Sequence, residues 1–500
     1  MTTPDSTQTY HARVKKFFEK TAQEKARETK FVRRRSPIDG RLFLISMVLT
    51  VFQHGTIALD DLAKAARKIN PLIEVCGQAF KRRLTAFAVD FLKACFAQAL
   101  QLTAPTCAPI VPLLSSFSAV YLLDATTIAL PDGLQKQFPG CGGAGPKASA
   151  KVFLLLNYLT GAYQTMRLTP GRKADQNMGQ EFLPGRLPAA LWMFDLGFFD
   201  AAFLASIALK KSFFLCRLAA TQLNFWVPRA NGSLESLDLD RLLRRARREL
   251  FEIKLVFGPK QEVSTRLILV PVPAKVSAER RRKAREKARQ KGRTMSARTL
   301  RRYDWTLLLS NAVPEQLPTS TLVEVYRVRW QVELVFKLFK SDACLEKSLA
   351  RESHRVQSEL YAKLIAVLLF NQVCRLVEEL AGEQISPVKL WRRMRGETQD
   401  WLCALGLGSV AALAQLLKSL ERYARRRRGK KSPSTRQRLA EVAQQAQQQI
   451  EMANPLDYSR RKSQSTAQRK KTFARHLSKR QIALNPGGLS NLRAFLKSSW

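Results

Sequence analysis

The sequence is poor in residues that hold transition metals or disulfides. Its 500 residues include only four histidines, which lie far apart, and eight cysteines without a Cys-x-x-Cys pair. This excludes an ordinary zinc cage, so any metal site must use oxygen ligands. Several cysteines lie inside apolar runs, as in Phe214-Leu215-Cys216, which predicts that they are reduced residues of the core.

Long hydrophobic runs and a secretory signal are also lacking. The most apolar run, residues 42–52, is about half as long as the roughly twenty residues that span a bilayer. The first ten residues show no basic segment followed by an apolar one. We therefore expect no transmembrane helix, no membrane partner and a cytoplasmic location.

Acidic residues are scarce relative to basic ones. The chain has 84 Lys and Arg against 40 Asp and Glu, a formal net charge of +44, while 46% of its residues are hydrophobic. Such a composition predicts packed globular domains, roughly two to four for a chain of this length. The excess positive charge requires a polyanion, and with the membrane set aside nucleic acid is the expected partner.

The first part of the chain is predicted to be helical. Residues 1–113 have helical spacing, with a basic amphipathic stretch at 12–35 for which a solvated surface helix is the alternative. A helix-turn-helix is also compatible with this region, although generic helical packing explains the pattern equally well. From residue 114 to 218, strand patterns mixed with helical ones predict an α/β fold with a mixed sheet.

The second half adds an insertion and a basic tail. Residues 219–304 combine short strands with a run of Lys and Arg at 280–293, which predicts a β-rich insertion carrying a basic helical arm. A strand pattern and then helical spacing follow over 305–380. Residues 381–500 are predicted to form a helical region whose basic tail beyond 418 is mobile until it meets a polyanion.

Two aspartates are predicted at strand ends. Asp124 follows the apolar run 119–123, and Asp195 follows the strand pattern at 190–194. In an α/β sheet both would project at the carboxyl edge, where such folds place ligands. For each aspartate taken alone, an N-cap or turn position is the commoner alternative.

A third acid lies in a helical segment of mixed charge. Five residues, Tyr326, Arg329, Glu333, Lys337 and Lys340, recur at spacings of three or four, which predicts that they share one polar helix face. The alternative is ion pairing within a solvated helix, which contributes roughly a few tenths of a kcal/mol.

These residues carry a resemblance to a known family. Tyr-x2-Arg-x3-Glu-x6-Lys, with Lys337 as an additional match, resembles the signature of bacterial insertion-sequence transposases of the "IS-four" family, in the DDE transposase and retroviral-integrase superfamily. Leu-Leu-Asp-Ala-Thr-Thr-Ile around Asp124 resembles the family's first-aspartate motif, and Asp195-Leu-Gly-Phe-Phe resembles its second. The resemblance runs from about residue 40 to 380 and includes Trp-x-Leu-Leu-Leu-x-Asn at 305–311.

The resemblance implies an RNase H-like catalytic core, in residues 114–218 and 305–380, that the insertion interrupts. It assigns Asp124, Asp195 and Glu333 as catalytic ligands of Mg²⁺, with Mn²⁺ as a substitute. Hard carboxylate oxygens suit such ions, and a pair of them about 3.5 to 4 Å apart can activate a water or 3′-hydroxyl and stabilise the leaving oxygen.

The resemblance also implies contacts with DNA. Tyr326, Arg329, Lys337 and Lys340 would hold the strand near the transposon end, and Trp330 would assist. Trp305 lies where the family stacks a tryptophan on a flipped base, although a core position at a strand end remains open. Arg217 is a further candidate phosphate ligand. The 1–113 region would recognise terminal inverted repeats, and the C-terminal helices would contribute to a homodimeric synaptic complex.

We therefore predict a metal-dependent DNA transposase that cleaves transposon ends and joins the 3′-hydroxyl to target DNA, working on the bacterial nucleoid. A nuclease on the same core is one alternative. A catalytically silent, domesticated DNA-binding protein is another, although such a protein would usually have lost one of the acids. A ribosomal or RNA-binding role fits the charge, but no aromatic RNA-binding motif is present.

Overall fold

A computed structural model describes residues 4–102, 111–143, 145–218, 224–258, 263–425, 433 and 435–453. The helices of the first part of the chain are α1 (Pro4–Lys16), α2 (Ala22–Glu28), α3 (Gly40–His54), α4 (Leu59–Ile69), α5 (Gly77–Arg83), α6 (Ala86–Ala99), α7 (Asp175–Phe182), α8 (Ala201–Leu209) and α9 (Leu239–Arg245). Those that follow are α10 (Ala274–Gln290), α11 (Ala297–Arg301), α12 (Leu322–Arg327), α13 (Trp330–Ser341), α14 (Ser353–Ala381), α15 (Pro387–Met394), α16 (Thr398–Ala404), α17 (Val410–Ala424) and α18 (Thr435–Ala453).

The strands are β1 (Val120–Leu130), β2 (Ala148–Asn157), β3 (Ala162–Pro170), β4 (Leu191–Phe194), β5 (Phe213–Arg217), β6 (Trp226–Pro228), β7 (Leu234–Ser236), β8 (Phe251–Phe257), β9 (Val263–Pro271) and β10 (Trp305–Ser310). The described residues form two compact units. Unit 1 consists of the described residues within Met1–Val111, Ala119–Gly185 and Trp330–Ser434, and unit 2 of those within Pro112–Ser118, Arg186–Arg329 and Thr435–Trp500. Each unit combines segments that are distant in the sequence. The domain boundaries at 113, 218, 304 and 380 stay predictions.

Unit 1 is built around the long helix α14, which packs on α3, α6 and α17. The helical pattern predicted for residues 40–102 is confirmed by α3 to α6. Phe52 of α3 stacks on Trp401 with ring centres 3.7 Å apart, and Trp391 and Phe370 close the same aromatic cluster. Burying such large side chains is the main source of stability in this part of the unit.

Helix α14 has the length and composition of a membrane span. Its 29 residues are long and apolar enough to cross a bilayer by these two criteria, and the bent pair α3 and α4 passes the same test together. All residues of the most apolar window of α14 are buried inside the protein. The helix is the core helix of unit 1.

Unit 1 also contains the antiparallel strands β3, β2 and β1, in that order. Strands β2 and β3 are neighbours along the chain and form an antiparallel pair. The Gly-rich segment 139–146 connects β1 to β2. A Cβ on Gly140 would lie 2.0 Å from the carbonyl oxygen of Pro146, so close backbone approach requires glycine there.

Unit 2 contains a mixed sheet in the order β4, β5, β10, β9, β8, β6, β7. Strands β4 and β5 are parallel, and the other pairs are antiparallel. The predicted α/β fold with a mixed sheet is therefore confirmed. Strand β9 of the predicted insertion pairs with β10, and β8 pairs with β9, so the insertion extends the sheet of the unit.

The basic arm of the insertion is anchored at its beginning. Helix α10 buries Val276, Ser277, Arg280 and Ala284. Arg281 and Ser277 both bind the carboxylate of Asp304. The rest of the charge run, by contrast, is largely exposed.

Two other predictions are partly corrected. Five of the cysteines are buried as predicted, but Cys76 and Cys141 are exposed, because they lie in the loop before α5 and in the Gly-rich connection. Cys107 lies outside the described residues. The Gln-rich segment of the tail is helical within α18, and residues 426–432 and 454–500, where mobility was predicted, lie outside the described residues.

Asn311, the last residue of the Trp-x-Leu-Leu-Leu-x-Asn segment, ties β10 to the start of β5. Its amide oxygen accepts from the Phe214 N–H at 2.7 Å, and its amide nitrogen donates to the Ser212 carbonyl at 3.0 Å. The asparagine thus satisfies backbone groups at the strand end that no sheet partner reaches.

We predict that Asn311→Ala lowers the free energy of unfolding of unit 2 by about 1 to 3 kcal/mol, because it leaves two backbone groups without partners. Urea unfolding followed by tryptophan fluorescence measures this. Asn311→Asp should lose less, since it retains the acceptor, and Asn231→Ala in the exposed β6–β7 turn is the control. Equal stability of all three variants would contradict the assignment.

Candidate active site

Asp195 lies immediately after β4, as predicted. The four residues of β4 are fully buried, and the strand ends in a short 3-10 turn, Leu196–Phe198. The Asp195 backbone carbonyl accepts from the Phe198 N–H at 3.0 Å, but its side chain makes no capping hydrogen bond. The N-cap alternative is therefore excluded for this aspartate. Its half-buried carboxylate is available for other chemistry.

Cationic and aromatic side chains surround Asp195 within unit 2. Phe194 is in register with Cys216 on the parallel strand β5, so Asp195 and Arg217 follow at the same level of the sheet. The Tyr326 hydroxyl donates to the Phe194 carbonyl at 3.3 Å, and the Arg329 guanidinium lies 6.0 Å from the Tyr326 ring centre. One acid is thus grouped with two arginines.

The charges of this group act on Tyr326. Burial raises the pKa of the Tyr326 phenol well above its ordinary value, Arg329 and Arg217 oppose the rise, and Asp195 adds to it. Tyr326 is 1% exposed and Arg329 is 7% exposed. The buried Arg329 and the half-buried Arg217 therefore place positive charge beside the tyrosine.

The predicted single polar helix face is wrong for Tyr326 and Arg329. Helix α12 ends at Arg327 and α13 begins at Trp330. The N–H groups of Val328 and Arg329 donate to carbonyls three residues back, at 3.0 and 3.1 Å. These tighter bonds end the helix, so the two residues turn inward.

The remaining residues of the motif lie on α13 in unit 1, where the amphipathic pattern holds. Val332, Phe336 and Phe339 are buried, Glu333 is half-buried, and Lys337 is exposed. Helix α13 packs on β1. Lys340 fixes this packing, since its ammonium donates to the Thr127 carbonyl of β1 at 3.0 Å and pairs with Glu346 at 2.7 Å.

Asp124 also lies on β1, but the prediction that it closes the strand is wrong. Strand β1 continues to Leu130, and Asp124 lies inside it, opposite Leu154 of β2. The apolar run ends at Asp124 because burial begins to alternate there, not because pairing stops. One carboxylate oxygen accepts from the Ala125 N–H at 2.8 Å.

The three acids are divided between the units. Asp124 and Glu333 belong to unit 1, on the contacting elements β1 and α13, and Asp195 belongs to unit 2. Within the described ranges, no group of three or more His, Cys, Asp and Glu side chains is arranged to hold a metal ion. The donor set itself fits Mg²⁺, because it consists of partly exposed carboxylates without a nitrogen or sulfur ligand.

The two tryptophans of the predicted site differ in exposure. Trp305 begins β10, is 6% exposed, and packs edge-on against Phe251 with ring centres 6.1 Å apart. This is the core position that the sequence left open as the alternative to base stacking. Trp330 is half-buried at the start of α13.

Arg280 is a residue that sequence reasoning assigned only to the basic arm. It is 4% exposed, and one guanidinium nitrogen donates to the Thr306 hydroxyl at 3.3 Å. Thr306 lies two residues before Leu308, the register partner of Arg217. Neither Nε nor Nη2 of Arg280 has a hydrogen-bond partner. Burial, and then the charge of Arg217, lower the pKa of Arg280 to about 10.

Arg280 thus extends the cationic group beside Asp195. A helix of alternating Lys, Arg and Glu gives no periodic signal that distinguishes one buried arginine from its solvated neighbours. Only the buried Val276 and Ala284, on the same side of α10, indicate which face of the helix turns inward.

Comparison with known proteins identifies relatives of this chain. A family profile described as Transposase DDE domain matches residues 115–369. The chain is 26% identical over 375 residues to the transposase for insertion sequence element IS231F of Bacillus thuringiensis subsp. israelensis, covering 72% of this chain and 78% of that protein. It is 25% identical over 389 residues to the transposase for insertion sequence element IS1151 of Clostridium perfringens, covering 73% and 80%.

One solved structure was also similar. A chain of the piggyBac transposase synaptic complex with hairpin DNA, determined by cryo-EM, aligns over 84% of this chain and 86% of its own length. The TM-score is 0.42 and the sequence identity is 12%.

We predict that Arg280→Met raises the free energy of unfolding of unit 2 by about 1 kcal/mol, because it removes a buried cation that lacks an acidic partner. Arg281→Met is the matched control, and it should lower stability because it leaves Asp304 without its cation. Denaturant midpoints of both variants measure this. A loss of stability in Arg280→Met would show that Arg280 has a structural role instead.

Proposed function

Because this chain belongs to the Transposase DDE domain family, we propose that it cleaves transposon ends at terminal inverted repeats and joins the 3′-hydroxyl to target DNA. The family profile covers more than half of the chain, and the matched range contains all three acids. The observation that carries the proposal is the Asp195 carboxylate, which no capping bond engages and which acts together with Arg217 and Arg329 on Tyr326.

Asp124, Asp195 and Glu333 are proposed to hold Mg²⁺, with Mn²⁺ as a substitute. The ions, when bound, would supply Lewis-acid activation of the attacking oxygen and neutralise the phosphodiester. In unit 1 the carboxylates are carried by a paired strand and by a helix fixed on that strand through Lys340. In unit 2 the carboxylate is carried by a strand end that Tyr326 holds. These contacts fix the elements that carry the acids before DNA binds.

The arginines of unit 2 are proposed to bind the phosphate backbone of the cleaved strand. Arg217 and Arg329 act on Tyr326, as does Asp195, and Arg280 interacts with Arg217. A phosphodiester would supply acceptors for Nε and Nη2 of Arg280. The Tyr326 hydroxyl already donates to a backbone carbonyl, so Tyr326 is a positioning residue in this proposal.

Trp330 and Lys337 of α13 are proposed as contacts to the flanking strand, since they lie on the exposed or half-buried side of the helix that carries Glu333. Lys340 would attract DNA through its charge while it holds α13 on β1. Trp305 could stack on a flipped base only if it left its contact with Phe251.

Transposition requires two ends, so we propose a homodimeric synaptic complex in which the helical C-terminal region contributes to assembly. The N-terminal helices are proposed to recognise the inverted repeats. The named relatives are bacterial insertion-sequence proteins, and we therefore propose that the protein works on nucleoid DNA in a bacterial cytoplasm.

A catalytically silent DNA-binding descendant is the second candidate. It is disfavoured because the chain keeps all three acids, and Asp195 is not retained for helix capping. A nuclease on the same core would cleave but would not join the 3′-hydroxyl to target DNA. Strand-transfer products from a pre-nicked end separate these two activities.

We predict that Asp124→Asn, Asp195→Asn and Glu333→Gln each lower Mg²⁺-dependent cleavage of an inverted-repeat duplex by at least about 10³-fold, an order typical for loss of a central catalytic group. Binding of the same duplex should be retained, because each change preserves side-chain size. Gel analysis of labelled DNA measures both quantities.

Asp200→Asn is the matched control for these variants. Asp200 caps α8 by accepting from the Phe203 N–H at 2.9 Å, and asparagine is an equally good N-cap. This variant should cleave normally. Normal cleavage by any of the three acid variants would remove that acid from the proposed site.

Lys337 and Lys340 should differ in their effect on stability. Lys337→Ala is expected to lower the salt slope of log affinity by about 0.9, the value for one lost phosphate contact, while the free energy of unfolding stays within about 0.5 kcal/mol. Lys340→Ala should lower both, because it also releases Thr127 and Glu346.

Salt-dependent DNA binding and urea unfolding measure these effects, and Lys136→Ala, an exposed lysine of the same unit, is the control. An unchanged slope in Lys337→Ala would show that Lys337 only solvates its helix.

A further inference from the structure

A basic cleft lies within the N-terminal part of unit 1 and shares no residue with the candidate active site. Its volume is about 400 Å³. We call it the arginine cleft, and its lining residues are Lys30, Phe31, Arg33, Arg34, Arg35, Ser36, Arg82, Arg83, Thr85 and Phe87. Six of these ten residues are cations, and no acid is among them.

Two chain reversals bring these cations together. Helix α2 ends at Glu28, and Lys30 adopts a left-handed conformation with a φ of 58°, which turns the chain into the segment 31–36. Helix α5 ends at Arg83, and α6 begins at Ala86, so only Leu84 and Thr85 separate the two helices. The basic residues that end one helix therefore face the basic loop that follows the other.

Aromatic rings hold two of the arginines in place. Phe31 stacks on the buried Phe91 with ring centres 4.8 Å apart, and the Arg83 guanidinium lies 4.1 Å from the Phe31 ring centre. The Arg33 guanidinium lies 4.4 Å from the ring centre of Phe87. Such cation–π contacts orient a planar guanidinium but leave its edge N–H groups free to donate.

Arg83 has donors that no residue in the described part of the chain accepts. Its Nε and Nη2 atoms are buried and have no hydrogen-bond partner. Burial lowers the pKa of Arg83, and no neighbouring carboxylate counters this effect. Buried donors of a cation without an acceptor are costly, so their presence at the wall of an open cleft indicates an anionic ligand.

The start of α6 adds to the preference for anions. The helix has 14 residues, its first turn contains no acid, and Thr85 and Phe87 of that end line the cleft. The positive end of a helix dipole and its first N–H groups favour phosphate.

We infer that the arginine cleft is a phosphate-binding site that takes the backbone of DNA. The choice of DNA as the source of the phosphate rests on the proposed function. The chemistry alone, planar guanidinium donors at a helix N-terminus, is shared by free inorganic phosphate. Six cations exceed the charge of one phosphate ion, and this excess favours successive phosphates along a strand.

The test measures binding of a 30-base-pair duplex to the full-length protein without divalent cations, at several salt concentrations. Arg34→Ala/Arg82→Ala removes two exposed cations of the cleft. We expect the salt slope to fall by about 1.8, two phosphate contacts at about 0.9 each, and binding at fixed salt to weaken about tenfold or more.

Lys93→Ala/Lys418→Ala is the matched control. It removes the same charge from exposed positions on α6 and α17 of the same unit, outside the cleft. The change in the salt slope of log affinity for this control should be less than about half of the change for Arg34→Ala/Arg82→Ala. Equal slopes for both double variants would overturn the proposal, because they would show that only net charge matters.

Arg83→Lys tests the buried donors. It keeps the charge but loses the planar edge, so we expect weaker DNA binding at unchanged circular dichroism and thermal midpoint. Titration of wild type and Arg34→Ala/Arg82→Ala with inorganic phosphate identifies the source. Phosphate binding that requires Arg34 and Arg82, together with an unchanged DNA slope, would assign the cleft to a free ion and overturn the DNA proposal.

The DNA-binding test of the arginine cleft and the cleavage test of the proposed function can fail independently. Binding without metal does not depend on Asp124, Asp195 or Glu333 acting in cleavage. Failure of Mg²⁺-dependent cleavage would therefore leave a positive cleft result standing, and a negative cleft result would leave cleavage by the acids untouched.

Discussion

The excess of positive charge is the constraint on which the rest of this structure depends. With 40 acids against 84 Lys and Arg, many of the described carboxylates serve the fold itself. Asp39, Asp200 and Asp238 cap helices, and Asp240 and Asp304 bind arginines of the insertion. Asp195 makes no such capping bond although it lies at the start of a 3-10 turn. A half-buried acid kept among arginines is what distinguishes a reactive position from a structural one in this chain.

Two arginines also have groups that the described part of the fold leaves without partners. Arg280 in unit 2 and Arg83 in unit 1 each have two guanidinium nitrogens without an acceptor. Burial lowers the pKa of both side chains, in Arg280 to about 10. A protein selected for stability alone would replace such residues with apolar ones. Their retention fits a protein that completes its charge balance by binding a polyanion.

The sequence predicted the chemistry better than the local geometry. Asp195 was placed correctly because a short buried strand followed by a polar residue ends there, and the Glu333 helix was placed correctly by its apolar spacing. Asp124 was misplaced because an apolar run ends where burial starts to alternate, which is also what the middle of a half-buried strand looks like. The sequence pattern does not reveal the turn at 328–329. A helix that ends with three-residue hydrogen bonds keeps nearly the same spacing of polar and apolar residues for one more turn, so the pattern continues across the break.

Contacts between segments that are distant in the sequence could not be predicted from local sequence patterns. Lys340 was predicted only as a DNA contact, and its bond to the Thr127 carbonyl depends on how α13 packs on β1. The inward position of Arg280 depends on the path of β10, and the arginine cleft depends on the approach of two loops about fifty residues apart in the sequence. Charge runs are normally solvated, so composition alone cannot show which of their members are buried.

The central claim is that Asp124, Asp195 and Glu333 bind the divalent ions that cleavage requires. Iron-directed cleavage of the polypeptide tests it most directly: Fe²⁺ replaces Mg²⁺ in the DNA complex, and ascorbate with peroxide generates radicals that cut the backbone near the metal. We expect cuts near Asp124, Asp195 and Glu333 together, all lost in Glu333→Gln. Cuts near only one of these acids, or a pattern that Glu333→Gln leaves unchanged, would contradict it.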